Sequence, residues 1–297
     1  MADSEIESDD GANRIARSAE KLDPDLLYRL ISLTHQQPWL ERRQKELLGT
    51  LDICETSSQQ DILSSLLFRF KYISHESWEN CISQIKDRII HHWNCQSHCT
   101  KIASTSESKY SDSSDAVLYS LKAKMAHEDN WETINFVTRL SECIVPDTEN
   151  TNIVLVDEFC GSGQTILKKI KWIKVLLQEK NSSAHIFVCF LATMAEAEQK
   201  VIATCDGFFS CNILQKGLSD YYEGENLEFA RRMMRNIEEK LATEFNNQKL
   251  YKYSFGYKKS EALYYREGGN TVNNVFPVFW WRKLKESRKW QPLLRRI

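Results

Sequence analysis

The run Ile153-Val154-Leu155-Val156 leads directly into Asp157 and Glu158. A loop of small and hydroxyl residues follows, Gly161-Ser162-Gly163-Gln164-Thr165, and then an amphipathic stretch to about Lys180. Uninterrupted β-branched and aliphatic residues mark a strand covered on both faces, because a half-exposed strand alternates. Further apolar runs lie at 185–191 and 208–214, separated by a helical pattern at 194–203. A long helical pattern over 226–244 carries Leu227, Ala230, Met233, Ile237 and Leu241 on one face. Strand, helix, strand, helix, strand predicts parallel βαβ units. The expected fold is therefore α/β, a Rossmann-like parallel sheet.

The chain upstream reads differently. Asp23-Pro24 is an N-cap followed by proline at the first helical position. Leu26, Leu27, Leu30, Ile31 and Leu33 supply the expected buried face, and Pro38 stops the helix. Helical patterns follow over 39–52, from Ser58 (Ile62, Leu66, Phe70) and from Ser74 (Trp78, Ile82, Ile85, Ile89). No β alternation precedes residue 99. The expected organisation is a helical region over 1–99, with 1–20 a mobile arm, and an α/β domain over 100–297 ending in a basic tail.

Composition removes several classes. With 39 basic and 41 acidic residues the net charge is −2, so no global basic field for nucleic acid exists. No apolar run reaches the ~18 residues of a membrane helix, and no membrane partner is expected. The N-terminal MADSEIESDD has no apolar core of a signal peptide. Nine irregularly spaced cysteines then read as reduced thiols, and a cytoplasmic location is expected. Five prolines and ten glycines are too few for the turns of a many-stranded β sandwich.

The chemistry concentrates at 157–165. Glycines let a backbone approach an anion, and successive N–H groups at a helix N-terminus offer it positive potential. Ser162 and Thr165 add hydroxyl donors. The carboxylates Asp157 and Glu158 would repel phosphate and suit sugar hydroxyls or Mg²⁺ instead. A P-loop lacks its lysine here, and a dinucleotide fingerprint lacks its third glycine, replaced by Ile166. The plain alternative is a strand–turn–helix with solvated acids.

This segment resembles the ribose-phosphate signature of type I phosphoribosyltransferases: four apolar residues, an acidic pair, two apolar residues and a five-residue small/hydroxyl loop. The resemblance implies that Asp157 and Glu158 act as the catalytic ribose-binding acids. Gly161, Ser162, Gly163, Gln164 and Thr165 would hold the 5′-phosphate of a phosphoribosyl compound or nucleotide, with Mg²⁺ as cofactor. Purine-salvage members often begin the loop with aspartate; Gly161 stands there, so purine salvage is not implied.

The segment 268–281 is similar to the terminal Asn-Thr-x-Asn-Asn-x-x-Pro-x-Phe-Trp element of a phosphoribosyltransferase-like family of bacterial conflict systems. Asn270, Thr271, Asn273, Asn274, Pro277, Phe279 and Trp280 carry it. It implies an effector in retron-type antiviral defence, with Asn270, Asn273 and Asn274 as substrate-binding residues. The alternative is a degenerate nucleotide-sensing or scaffold module docking a reverse transcriptase–nucleic-acid complex. Buried amides satisfying backbone groups are the plain reading of the same residues. The pyrophosphate loop expected of such enzymes falls at 104–115, rich in serine and without glycine, with Lys109 available to an anion.

Other signals are weaker. His91, His92, Cys95, His98 and Cys99 are zinc-ligand types, but one helix cannot wrap a tetrahedral ion. Cys160 has no histidine nearby in sequence and reads as packing. The tail 282–297 holds seven basic residues against Glu286, with Trp281 and Trp290 interleaved. It suits nucleic acid or an acidic partner, or is a solvated amphipathic tail.

Overall fold

The computed structural model describes residues 24–106, 113–128, 130–285 and 290–296. The expected 1–20 arm, the middle of the 104–115 loop with Lys109, and part of the basic tail lie outside these residues. In chain order the elements are α1 (Pro24–Gln36), α2 (Gln44–Asp52), α3 (Ser57–Phe68), β1 (Lys71–Ile73), α4 (His75–Asp87), β2 (Thr100–Ser104), α5 (Ser113–Met125), β3 (Phe136–Val137) and β4 (Thr151–Cys160). There follow α6 (Gln164–Glu179), β5 (Ala184–Met194), α7 (Ala195–Ile202), β6 (Gly207–Leu214), α8 (Gly224–Glu238), β7 (Glu244–Phe245), β8 (Gln248–Lys249) and β9 (Tyr264–Arg266), with short 3₁₀ turns between and a π turn at Arg88–His92.

Five strands form the central sheet in the order β3-β2-β4-β5-β6, and all neighbours are parallel. The α/β fold with a parallel sheet is thus present. β4 lies at its centre, and its side chains explain the continuous apolar run. Ile153 and Leu155 enter the core beneath α6 and α7, with Ile166, Ile170 and Ile173. Val154 and Val156 face the opposite way, into the core made by α4 and α5 with Trp78, Ile82, Val117 and Leu121. A strand buried on both sides has no place for a polar residue until it reaches the sheet edge, and there Asp157 begins.

The third core spans the chain. Leu33, Leu47, Leu63 and Leu67 from α1–α3 pack with Met234, Ile237, Phe276, Phe279 and Trp281. The boundary at residue 99 therefore runs through one shared core. The all-helical reading of 1–99 is also corrected: β1 pairs in parallel with β9, Lys71 opposite Tyr264 and Ile73 opposite Arg266. A strand of three residues, whose partner lies far along the chain, leaves no alternation to read. On α1 only Leu33 is fully buried; Leu27 and Ile31 are exposed, against expectation.

Where it is described, the tail is amphipathic and anchored: Arg282, Lys283, Lys285 and Arg295 are exposed, but its leucines are not. Leu293 and Leu294 are buried, Leu294 N donates to Phe279 O at 2.7 Å, and Thr271 Oγ1 donates to Arg295 O at 2.6 Å. No helix among the described residues is long and apolar enough to cross a membrane.

Candidate functional site

β4 ends where α6 begins, and the turn between them is built for close approach. Gly163 is the N-cap of α6 with φ +76°, a left-handed conformation that suits glycine. It has no side chain with which to cap the helix. The first-turn amides lack intrahelical partners and remain available to a ligand. At Gly161 a Cβ would stand 2.3 Å from Asn274 Nδ2, so only glycine admits that side chain.

The loop forms one wall of a cavity of about 190 Å³, roughly six waters at ~30 Å³ each. Gly161, Ser162, Gly163, Gln164 and Thr165 line it together with Asp157, Asn273 and Asn274. The two motifs singled out in the sequence, more than a hundred residues apart, thus meet. No lysine or arginine among the described residues lines this cavity. An anion here would be held by backbone amides, hydroxyls and the positive end of α6. A larger groove of about 640 Å³ lies at Asp52, Glu55, Lys240 and Lys285. It has neither a glycine loop nor a helix N-terminus, and its Glu55 and Lys240 already pair with each other.

The acidic pair divides. Asp157 faces the cavity; its Oδ1 accepts from Glu158 N at 2.7 Å and its Oδ2 accepts from Thr105 Oγ1. Glu158 does not line the cavity. Successive strand side chains point to opposite faces, and Glu158 is only 1 % exposed on the other one. There Arg266 Nε donates to it at 2.9 Å and Tyr264 Oη at 3.2 Å, while the Arg266 guanidinium lies 4.5 Å from the Trp78 ring centre. This buried ion pair ties β4 to the β1–β9 pair. The carboxylate beside it and burial together push the Tyr264 hydroxyl well above its ordinary pKa, burial first.

The asparagines divide as well. Asn274 is buried against Gly161, and its Nδ2 donates to Ser260 Oγ at 3.0 Å and to Tyr257 O at 3.3 Å. Asn273 lines the cavity. Asn270 is exposed and outside it. Thr271 anchors the tail rather than the cavity.

Two cavity residues escaped the sequence reading, Phe190 and Tyr257, while Thr105 falls inside the 104–115 stretch expected as the pyrophosphate loop. Thr105 follows β2 directly, and its place beside β4 was implicit in the parallel order. Tyr257 had no local signal. Its loop has positive φ at Phe255, Gly256, Lys258, Lys259 and Glu261, each costing a non-glycine residue roughly 1–2 kcal/mol. At Gly256 a Cβ would sit 1.9 Å from Asn274 O. Two buried carboxylates hold this loop. Glu238 accepts from Ser254 Oγ at 2.6 Å and Phe255 N at 2.9 Å; Glu261 accepts from Leu218 N and Ser219 N, both at 2.8 Å. Burial pushes the Glu238 carboxyl up to about 7.

Cys160 is buried and its thiol is pushed up to about 12, by burial first and Asp157 second, which keeps it protonated and inert. Among the described residues no group of three or more His, Cys, Asp or Glu side chains is placed to hold a metal, the 91–99 cluster included.

Among solved structures the chain is similar to orotate phosphoribosyltransferase from Aeropyrum pernix, at 13% identity and TM-score 0.31, over 46% of this chain and 71% of that one. It is similar to hypoxanthine-guanine phosphoribosyltransferase from Schistosoma mansoni in complex with IMP, at 13% identity and TM-score 0.30, over 48% and 70%. A hypothetical protein from Neisseria gonorrhoeae with bound ppGpp gives 13% identity and TM-score 0.31, over 55% and 96%. No curated protein matches. The family model that does match, PRTase-CE, spans residues 54–296, from the loop before α3 through the sheet and both motifs to the tail, and the chain belongs to that family.

Proposed function

We propose that the cavity binds the ribose-phosphate part of a phosphoribosyl compound or nucleotide, and that the chain is a phosphoribosyltransferase-like enzyme. One observation carries this reading: a small-residue loop at an uncapped helix N-terminus shares a cavity with a single carboxylate and, among the described residues, no side-chain cation. The amides of 161–165 and the hydroxyls of Ser162 and Thr165 hold the phosphate. Asp157 repels that end of the ligand and accepts from the sugar hydroxyls. Thr105 donates to Asp157 and fixes its orientation.

Glu158 keeps a part in this account as a positioning residue, since its pairing with Arg266 holds the end of β4. Asn274 buttresses Gly161, and Asn273 and Tyr257 line the same cavity, where an amide and an aromatic ring suit a base. The reaction is displacement at the anomeric carbon: a nitrogen of the acceptor base bonds C1 and gives its proton to solvent as the C1–O bond breaks and pyrophosphate leaves with the electron pair. Asp157 supplies negative charge near the cation-like centre, and the loop keeps the sugar in line.

Mg²⁺ fits this donor set. Magnesium keeps several waters and takes one or two carboxylates plus substrate phosphates, not a protein cage; Asp157 is the carboxylate at hand. When bound it would neutralise charge on a pyrophosphate. A cytoplasmic setting accords with nine free thiols. A role in retron-type antiviral defence follows the resemblance of 270–280 to the conflict-system element.

A second reading is a nucleotide-sensing or scaffold module, docking a reverse transcriptase–nucleic-acid complex. The withdrawal of Glu158 into an ion pair favours it, because one acid of the expected pair is then lost to ribose. Calorimetric titration with phosphoribosyl pyrophosphate and with nucleoside monophosphates, with and without Mg²⁺, tests both. Binding weakened by Asp157→Asn and Thr165→Ala, together with release of pyrophosphate on adding an acceptor base, supports the enzyme. Binding without turnover supports the sensor. Tight binding that ignores both substitutions contradicts the site.

A further inference from the structure

The helix that starts at the phosphate loop has an outer face that the fold does not use. Ile166, Ile170, Ile173 and Leu177 of α6 are buried beneath it. Gln164, Thr165, Lys168, Lys171, Trp172 and Val175 are exposed. Spacings of three and four residues put these six side chains on one stripe. Its first two members, Gln164 and Thr165, also line the cavity. Thr165 to Trp172 spans about 10 Å at 1.5 Å per residue.

The chemistry of the stripe is specific. From Gln164 to Gln178 α6 holds lysines and no acid; Glu179 closes it. Lys168 and Lys171 make no ion pair or hydrogen bond among the described residues. Trp172, 43% exposed, follows them on the stripe before Val175. On α7, Glu196 is clasped by Lys200 at 2.9 Å and Lys216 at 2.6 Å, which spends its charge; Glu198 lies on the same helix.

We propose that single-stranded nucleic acid binds along this face of α6, with a terminal phosphate seated in the 161–165 loop. The seat rests on the phosphate reading of that loop. Lysines one turn apart match a phosphate backbone, and an exposed indole beside the cations is a stacking platform for a base. An acidic peptide would satisfy the lysines but leave both the indole and the phosphate seat unused.

The test is fluorescence anisotropy on the full chain, with hexanucleotides of DNA and of RNA carrying a 5′-phosphate, a 3′-phosphate or neither. Binding should weaken with salt, and Lys168→Ala/Lys171→Ala should lower the log–log salt slope by about 1.4, at ~0.7 per phosphate on a single strand. Trp172→Ala should cost roughly 5- to 150-fold in affinity, the range of one stacked base. One terminally phosphorylated oligonucleotide should bind tighter than its unphosphorylated counterpart, and Thr165→Ala should erase that preference. An unchanged slope, an indifferent Trp172→Ala, or equal displacement by poly-glutamate would overturn the proposal. Phosphoribosyl pyrophosphate titrations of the α6 surface variants separate the readings. In these variants phosphoribosyl pyrophosphate binding should stay intact while oligonucleotide binding falls; phosphoribosyl pyrophosphate binding by the wild type with no oligonucleotide binding sinks this proposal alone. Oligonucleotide binding with the predicted slope and Trp172 effect, but no phosphorylation preference and no sugar-phosphate binding, upholds the strand-binding face and sinks the seat.

Discussion

Gly161→Ala isolates the contact between the two motifs. The new Cβ would lie 2.3 Å from Asn274 Nδ2, 2.6 Å from its Cγ and 2.8 Å from Oδ1, distances no packed side chain tolerates. Asn274 must move, and it then loses its bonds to Ser260 Oγ and Tyr257 O. At about 0.5–1.5 kcal/mol each, the pair is worth about 1–3 kcal/mol. Asn274→Ala alone removes the same two bonds and should cost a similar amount. In Gly161→Ala/Asn274→Ala the clash has no partner, so the double variant should be no less stable than Asn274→Ala. The cycle therefore predicts a coupling of about 1–3 kcal/mol, well outside the ~0.5 kcal/mol of independent sites. Urea unfolding of the four proteins measures it. Strictly additive losses would refute the contact and, with it, the claim that 268–281 shapes the loop.

The other predictions follow from neighbouring features. Glu158→Ala strands Arg266 against Trp78. It should destabilise toward the lower end of about 3–5 kcal/mol, because the arginine side chain keeps 20% exposure; Asp157→Asn should lose ligand affinity with little change in unfolding free energy. Glu238 has its carboxyl raised from 4.5 to about 7 by burial. The native state thus binds more protons than the unfolded chain between those values. Its stabilisation is complete below about pH 4.5 and is lost as pH rises through 7. Unfolding free energy from pH 5 to pH 8 should fall by about 2–3 kcal/mol more in wild type than in Glu238→Gln, at ~1.4 kcal/mol per unit; parallel pH profiles would contradict this. A fragment of 100–297 should fail to fold by circular dichroism, since it exposes the faces of Met234, Phe276 and Trp281 that α1–α3 cover. A cooperatively folded fragment would show two independent cores.

Much of this was legible because periodicity and burial coincide in the sheet. β4 had to be continuous and apolar once helices covered both faces, and its run ended at the residue where the cavity begins. The glycine loop was legible for the same reason, since φ +76° at Gly163 and the approach of Asn274 to Gly161 leave few alternatives. The separation of Glu158 from Asp157 has a simple cause. Adjacent acids on an extended strand diverge, and nothing near Glu158 announced that Arg266, from a three-residue strand a hundred positions on, would claim it. Tyr257 was invisible because its placement depends on a left-handed loop held by Glu238 and Glu261, both tertiary contacts. Leu27 and Ile31 have the helical spacing of a buried face, yet α1 buries only Leu33 fully; spacing defines a stripe, and packing decides which side of it is covered.

The central claim is that the 161–165 loop seats a sugar phosphate. A crystal structure with phosphoribosyl pyrophosphate and Mg²⁺ tests it most directly. The account predicts a 5′-phosphate within about 3 Å of the loop amides, ribose hydroxyls donating to Asp157, and Glu158 still paired with Arg266. A ligand seated elsewhere, or a phosphate turned away from the loop amides, would contradict it.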